Sequence, residues 1–153
     1  MIHYLHREQV IPASVEAVWT FFCNPHNLNS ITPPDMNFEI IAGGDVKMYE
    51  GQVIEYRVEF IRGVRSLWLT EIAHVRENGY FVDEQRIGPY RFWYHEHFFE
   101  AVAKGVKMTD HVTYAMPFGV LGDVVHAAWV GGRLKSIFDF RYGKIADIFG
   151  SAQ

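Results

Sequence analysis

Histidine and aspartate residues alternate with aromatic and apolar residues in the middle of the chain, in a pattern that could gather ionisable groups on one interior face. Side chains two positions apart on a β-strand point to the same side of the sheet. Three such sets are present: Trp93, His95, His97 and Phe99; Asp83 and Gln85; and Asp110, Val112 and Tyr114. The spacing predicts one hydrogen-bonded cluster formed by Asp83, Gln85, His95, His97, Asp110 and Tyr114.

These residue types are compatible with several kinds of chemistry. An unpaired buried carboxylate is costly, so the cluster can exist simply to satisfy its own members. It can also hold the polar end of a ligand, or use a histidine oriented by an aspartate as an acid and base. Two imidazoles with Asp83 or Asp110 would suit zinc or iron. The residues after His97 do not follow the spacing of cupin metal sites, however, and we predict a metal-free cluster without a cofactor.

The loop at Gly88-Pro89-Tyr90 decides whether these sets face the same way. A three-residue loop places Asp83 opposite His95 and Gln85 opposite Trp93, whereas a two-residue loop reverses the match. We favour the longer loop.

The strands that position these side chains follow from the hydrophobic periodicity. Residues 38–117 alternate with a period of two between glycine-containing turns, which predicts a meander of about six strands. Within it, Asn78-Gly79 is typical of a type I′ hairpin turn, which needs positive φ at both central residues. A further strand, Ile2 to Ile11, precedes Ser14, which is a typical helix N-cap. Two short helices then end before Pro33-Pro34.

A long helix is predicted at the C-terminal end, where the period changes to 3.6. Its apolar stripe is marked by Leu134, Phe138, Arg141, Ile145 and Ile148. The concave face of the sheet is the only large apolar surface available to cover this stripe, so we expect the two to pack together. Gly131-Gly132 interrupts the helix and indicates a kink, a close approach or a local break. The sequence thus predicts an α+β fold, with a curved antiparallel sheet of about six to seven strands, in one domain of residues 1–153.

The order of elements resembles the START/SRPBCC superfamily, whose pollen-allergen-like members have the helix-grip fold. The segments Pro12 to Trp19 and Phe22 to Leu28 resemble its strand-to-helix and helix-to-helix turns. Similarity to a bacterial subgroup of ligand-binding and cyclase-like members lies in Phe81 to Gln85, Gly88 to Tyr90, Trp93 to His97, Thr109 to Tyr114, and Ile137 to Arg141. The resemblance implies a sheet wrapped around the long helix, enclosing a cavity for a small apolar molecule. We expect a volume of several hundred cubic ångströms.

The aromatic content of 16% supports wide aromatic walls for such a cavity. We therefore predict eight ligand-binding residues, namely Trp68, Asp83, Gln85, Trp93, His95, His97, Asp110 and Tyr114.

Composition excludes other classes of partner. The formal net charge is -4, and no cluster of basic residues is present, which argues against nucleic acid. No segment reaches the ~18 uncharged apolar residues that a membrane span needs, so we predict no stable membrane insertion. Cys23 is the only cysteine, which precludes an internal disulfide and fits a reducing compartment. We predict a cytoplasmic protein.

Three functions are compatible with these features. The first is binding or carriage of a lipid, isoprenoid or polyketide-like molecule. The second is a cyclase or dehydratase that acts on a polyketide-like substrate through His95, His97, Asp83 or Asp110. The third is a protein-interaction module with a vestigial cavity. We favour the first.

Overall fold

The dominant element of the structure, a computed structural model that describes residues 1–151, is a curved antiparallel sheet of seven strands. The strands are β1 (Ile2–Ile11), β2 (Glu39–Ala42), β3 (Val53–Ile61), β4 (Val64–Arg76), β5 (Tyr80–Ile87), β6 (Phe92–Val102) and β7 (Gly105–Ala115). Their order across the sheet is β1-β7-β6-β5-β4-β3-β2, so the first strand lies beside the last and the others follow as a meander. The predicted fold class is confirmed.

Short helical segments connect β1 to β2. They are α1 (Val15–Phe22), α2 (Pro25–Leu28) and two 3₁₀ turns (Asn29–Ile31 and Pro34–Met36). Ser14 caps α1 as expected, because its hydroxyl accepts a hydrogen bond of 3.2 Å from the Ala17 backbone N–H.

The C-terminal helix begins as α3 (Val120–Val125), continues through a π-helical segment (His126–Val130) and ends as α4 (Gly131–Phe149). The chain stays helical across Gly131-Gly132, and the irregular turn comes just before this pair. A Cβ atom at Gly131 would lie 3.2 Å from the His126 ring, so the predicted close approach is present at this glycine. None of the helices within residues 1–151 has the length and hydropathy to span a membrane.

The concave face of the sheet packs on α4, as the apolar stripe predicts. Leu134, Phe138 and Ile145 are buried in this contact, together with Ile137. The prediction for Ile148 is wrong, because its side chain is 45% exposed. The last turn of α4 instead packs through Phe149, whose ring meets that of Phe21 on α1 at 5.3 Å.

The β4–β5 turn also differs from the prediction. Only Asn78 has positive φ there, at 59°, and the Gly79 N–H donates a hydrogen bond of 2.9 Å to the Arg76 carbonyl. Because Arg76 pairs with Tyr80, the loop contains three residues rather than the two of a type I′ turn.

Candidate functional site

A cavity of about 170 Å³ lies between the concave face of the sheet and α4. Most of its wall is apolar, and β3, α1 and α4 contribute Ile54, Tyr56, Val58, Phe60, Phe21, Phe22, Leu134, Ile137 and Phe138. The predicted volume of several hundred cubic ångströms is wrong. Aromatic rings pack together in this wall and behind it: Trp68 meets both Trp93 and Tyr90 edge-on, with ring centroids 5.3 and 5.7 Å apart.

Four of the predicted site residues form a compact cluster at the cavity wall. The β5–β6 register places Asp83 opposite His95, as the longer loop predicts, and the β6–β7 register places His97 opposite Asp110. The carboxylate of Asp83 lies 2.7 Å from His97 Nε2 and 3.6 Å from His95 Nδ1. The carboxylate of Asp110 lies 2.8 Å from His95 Nε2 and 3.0 Å from His97 Nδ1. Although this last contact is short, His97 Nδ1 forms no hydrogen bond among the described residues.

The two carboxylates stand on opposite sides of the two imidazoles. Asp83, His95 and His97 line the cavity, whereas Asp110 does not. Asp110 lies behind the rings, where it is 6% exposed. The His95 and His97 rings are 3.7 Å apart between centroids, and Phe81 stacks on the far face of the pair at 4.1 Å from His97. The polar groups are therefore held in an aromatic setting.

The four ionisable groups of the cluster shift one another's pKa values, and the two histidines are shifted in opposite directions. Burial raises the pKa of both carboxyls, but the neighbouring histidines outweigh burial and hold the pKa of Asp83 and of Asp110 below the ordinary value. Burial, helped by the nearby charge of His97, lowers the pKa of His95. For His97, burial is outweighed by Asp110 and Asp83, which raise its pKa. At a pH near the ordinary histidine pKa of about 6.5, these directions favour two carboxylates, a charged His97 and a neutral His95.

The remaining predicted polar residues lie outside this cluster. Gln85 braces the β5–β6 loop: its Nε2 donates to the Tyr90 carbonyl at 2.7 Å, and its Oε1 accepts from the Tyr90 N–H at 3.2 Å. A Cβ atom at Gly88 would lie 2.3 Å from the Gln85 side-chain oxygen, so this bracing needs a glycine there. Tyr114 forms a hydrogen bond of 2.7 Å with His126 Nε2. The prediction of one cluster of six residues is therefore wrong for Gln85 and Tyr114.

Tyr114 belongs to a second polar group that the sequence did not reveal. His126, from the π-helical segment, stacks on His3 with ring centroids 3.6 Å apart. His3 Nε2 lies 3.2 Å from a carboxylate oxygen of Asp123 on α3. This group ties β1 and β7 to the start of the C-terminal helix.

Trp68 and Trp93 both line the cavity, where we had predicted ligand contacts. Arg141 is a further wall residue that the prediction did not include. Its guanidinium lies 4.9 Å from the Phe138 ring centroid, and its charge contributes to the lowered pKa of Asp83. The buried Arg141 Nε has no hydrogen-bond partner among the described residues. The sequence did contain a signal for this role, because Arg141 is a charged residue within the apolar stripe of α4.

We expect His95 and His97 to titrate on opposite sides of the ordinary histidine pKa of about 6.5. His97, with a raised pKa, contributes stability below pH ~6.5 that is lost as the pH rises through its folded pKa. His95, with a lowered pKa, contributes stability above pH ~6.5 that is lost as the pH falls from there through its lower folded pKa. Asp83 and Asp110 contribute stability above pH ~3.9 that is lost only as the pH falls through their lower folded pKa values.

The NMR signals of the imidazole carbons, followed against pH in metal-free buffer, measure both histidine midpoints. Arg141 and Tyr56 also interact electrostatically with Asp83. Arg141→Gln controls for the positive charge of Arg141, and we expect the midpoint of His97 to stay above that of His95 in this variant. Coincident midpoints for His95 and His97 would contradict the division of charge.

Comparison with known proteins identifies the fold. No protein-family model and no curated protein sequence matches the chain. Among solved structures, protein CV1439 from Chromobacterium violaceum superposes with a TM-score of 0.74 at 12% identity, over 97% of this chain and 98% of that one. The Zhui aromatase/cyclase from Streptomyces sp. R1128 gives 0.72 at 12% identity, over 95% and 92%. Major latex-like protein 151 from Panax ginseng gives 0.71 at 13% identity, over 97% and 98%.

These likenesses extend over nearly the full length of both chains in each case. Together with the sheet order and the packing of α4, they show that the chain has the helix-grip fold. The START/SRPBCC resemblance is confirmed at the level of fold.

Proposed function

We propose that the protein binds a small, largely apolar molecule in the cavity between the sheet and α4, and holds its polar end against Asp83, His95 and His97. The observation that carries this proposal is the composition of the wall. Aliphatic and aromatic side chains surround the space, and ionisable groups are gathered at one place on it. An apolar pocket with a few directed polar groups is the usual form of a small-molecule site.

The size and lining of the cavity narrow the ligand class. A volume of about 170 Å³ favours a compact molecule over a long acyl chain. The rings of Trp68, Trp93, Tyr56 and Phe138 favour a flat or cyclic skeleton that can stack on them or meet their edges. Within the lipid, isoprenoid and polyketide-like range, these features favour a cyclic, polyketide-like molecule. We propose that residues 1–153 form one domain that carries such a molecule in the cytoplasm.

A second candidate is an enzyme of the cyclase or dehydratase type that acts on the same kind of molecule. The feature in its favour is the pair of adjacent histidines at the cavity wall, each beside a carboxylate that can orient it. Their pKa values are shifted in opposite directions, which suits His95 to accept a proton and His97 to donate one in general acid–base chemistry. One of the structural neighbours is described as an aromatase/cyclase. Conversion of the bound molecule, lost in His97→Gln, would separate this candidate from simple carriage.

Filling the cavity is expected to weaken binding of a neutral hydrophobic probe such as N-phenylnaphthylamine by at least about tenfold, a loss of about 1.4 kcal/mol. Val58 is 3% exposed and lines the cavity, so a phenylalanine there would occupy the ligand's space. Val53 lies on the same strand with its side chain 47% exposed. Val53→Phe is therefore a matched control that makes the same chemical change outside the cavity. Probe fluorescence measured against protein concentration gives both dissociation constants.

Equal affinities for Val58→Phe, Val53→Phe and the unmodified protein would mean that the probe binds elsewhere, and the cavity proposal would fail. Native mass spectrometry of freshly purified protein complements this test. A retained molecule that is lost selectively from Val58→Phe would supply its mass and hence its chemical class.

A further inference from the structure

The two histidines of the cavity wall are arranged so that each offers one ring nitrogen to each carboxylate. His95 Nδ1 and His97 Nε2 both approach Asp83, at 3.6 and 2.7 Å. The other nitrogens, His95 Nε2 and His97 Nδ1, both approach Asp110, at 2.8 and 3.0 Å. The pair therefore has a front, facing Asp83 and the cavity, and a back, facing the buried Asp110.

In contrast to the metal-free cluster that the sequence predicts, we propose that Asp83, His95 and His97 form a binding site for a divalent transition-metal ion, with Zn²⁺ as the representative ion. Two imidazoles and one carboxylate are the ligand set of many catalytic zinc sites, and of iron(II) sites with open positions. The candidate ligand atoms of the three residues lie within 4.8 Å of one another. Of the two carboxylates beside this histidine pair, Asp83 is the one that lines the cavity.

The separations at the front of the pair suit an ion placed between these atoms. Bonds of about 2.0 to 2.2 Å put neighbouring ligand atoms roughly 3 to 3.5 Å apart. The two Asp83 contacts, at 2.7 and 3.6 Å, bracket this range. The strands β5 and β6 that carry the ligands are paired at this point.

Asp110 has the position of a group that orients metal ligands from behind. Histidines that bind a metal through one nitrogen usually donate the other N–H to a carboxylate, which fixes the ring and raises its basicity. Here one buried carboxylate faces the rear nitrogens of both histidines. The 2.8 Å contact with His95 is already a hydrogen bond. A purely structural network does not need all rear contacts on one carboxylate and all front contacts on the other.

The charge of the cluster also favours a divalent cation. The carboxyl groups of Asp83 and Asp110 lie beside two imidazoles whose rings contact Phe81, Phe138 and Trp93. Two carboxylates brought together in such an apolar setting favour a divalent cation as their counter-ion. Arg141 on α4 supplies a further positive charge near Asp83.

The remaining coordination positions of this ion would face the cavity. An ion there can accept an oxygen atom of a bound molecule and polarise it as a Lewis acid. The metal site rests on the geometry of three side chains and does not depend on the proposed ligand, so either proposal can fail without the other.

The test is Zn²⁺ binding to the full chain after removal of metals with a chelator. We expect one equivalent per chain by equilibrium dialysis and metal analysis, with the imidazole NMR signals of His95 and His97 shifting on addition. Asp83→Asn removes a ligand charge at a partly exposed position and is expected to weaken binding by more than about 100-fold. Asp110→Asn, which acts only through the histidines, should weaken it by about 10-fold to 100-fold.

The exposed pair His6 and His111 provides the matched control, because their rings lie 4.5 Å apart on the outer face of the sheet. We expect His6→Ala to leave the affinity unchanged. The proposal is overturned if the wild-type protein takes up no Zn²⁺, if uptake leaves the His95 and His97 signals unmoved, or if His6→Ala rather than Asp83→Asn abolishes it. Since the first two readings use the unmodified protein, a variant that fails to fold does not obscure the outcome.

Discussion

Replacing Asp110 by asparagine is expected to lower the free energy of unfolding by about 3 to 5 kcal/mol, the usual cost of removing one partner from a buried ion pair. The side chain is 6% exposed and contacts both His95 and His97, at 2.8 and 3.0 Å. Without its charge, the proton on His97 keeps only Asp83 as a counter-ion. Urea denaturation of the metal-free protein near pH 6, where His97 is charged, measures the difference.

A matched control lies on the same pair of strands. Glu100 on β6 forms an ion pair of 2.8 Å with Lys107 on β7, but the Glu100 side chain is 64% exposed. Solvent screens such a pair, so Glu100→Gln should change stability by less than about 1 kcal/mol. If Asp110→Asn and Glu100→Gln had equally small effects, the buried cluster would not be held by ionic pairing.

Strand periodicity was sufficient to predict the centre of the site. Alternation placed His95 and His97 on one face of β6, and the loop at Gly88-Pro89-Tyr90 set their register with Asp83. The fourth member, Asp110, followed from the same alternation on the next strand. These relations are local and have a period of two, which is why they could be derived without coordinates.

A shared face of the sheet was not sufficient to predict the hydrogen-bond partners of Tyr114 and Gln85. Four residues along a strand span roughly 13 Å, so Tyr114 shares a face with Asp110 but lies far from its carboxylate. Its actual partner, His126, depends on how the C-terminal helix docks. Gln85 sits at the end of β5, where the backbone of Tyr90 satisfies its amide locally.

The volume of the cavity was a further property that the sequence could not supply. It depends on the distance between α4 and the sheet, and on how the rings of Trp68 and Trp93 meet. Neither is encoded in a residue pattern. Close packing means that small shifts of such rings open or close a space of this size. The exposure of Ile148 has a similar cause, because α4 reaches α1 through Phe149 instead.

The second large effect on stability is expected from removing α4, which covers the concave face of the sheet. Deleting the residues after Gly132 removes most of α4, which packs on the concave face through the buried side chains of Leu134, Ile137, Phe138 and Ile145. Burying an aliphatic or aromatic side chain contributes roughly 1.5 to 3 kcal/mol, so these four account for about 6 to 12 kcal/mol. That sum is comparable with the whole stability of a domain, about 5 to 15 kcal/mol. We therefore expect the truncated chain to be unfolded or aggregated at 25 °C.

Circular dichroism and thermal melting of the truncated chain test this expectation, and two point variants on the same helix calibrate it. Phe138→Ala, at a site 4% exposed, is expected to cost about 3 to 5 kcal/mol, because it leaves a void between α4 and the sheet. Ile148→Ala, at a site 45% exposed, should cost less than about 1 kcal/mol. A truncated chain that melted cooperatively near the full-length temperature would show that the sheet covers its own apolar face, and α4 would then be a removable lid on the cavity rather than its structural wall.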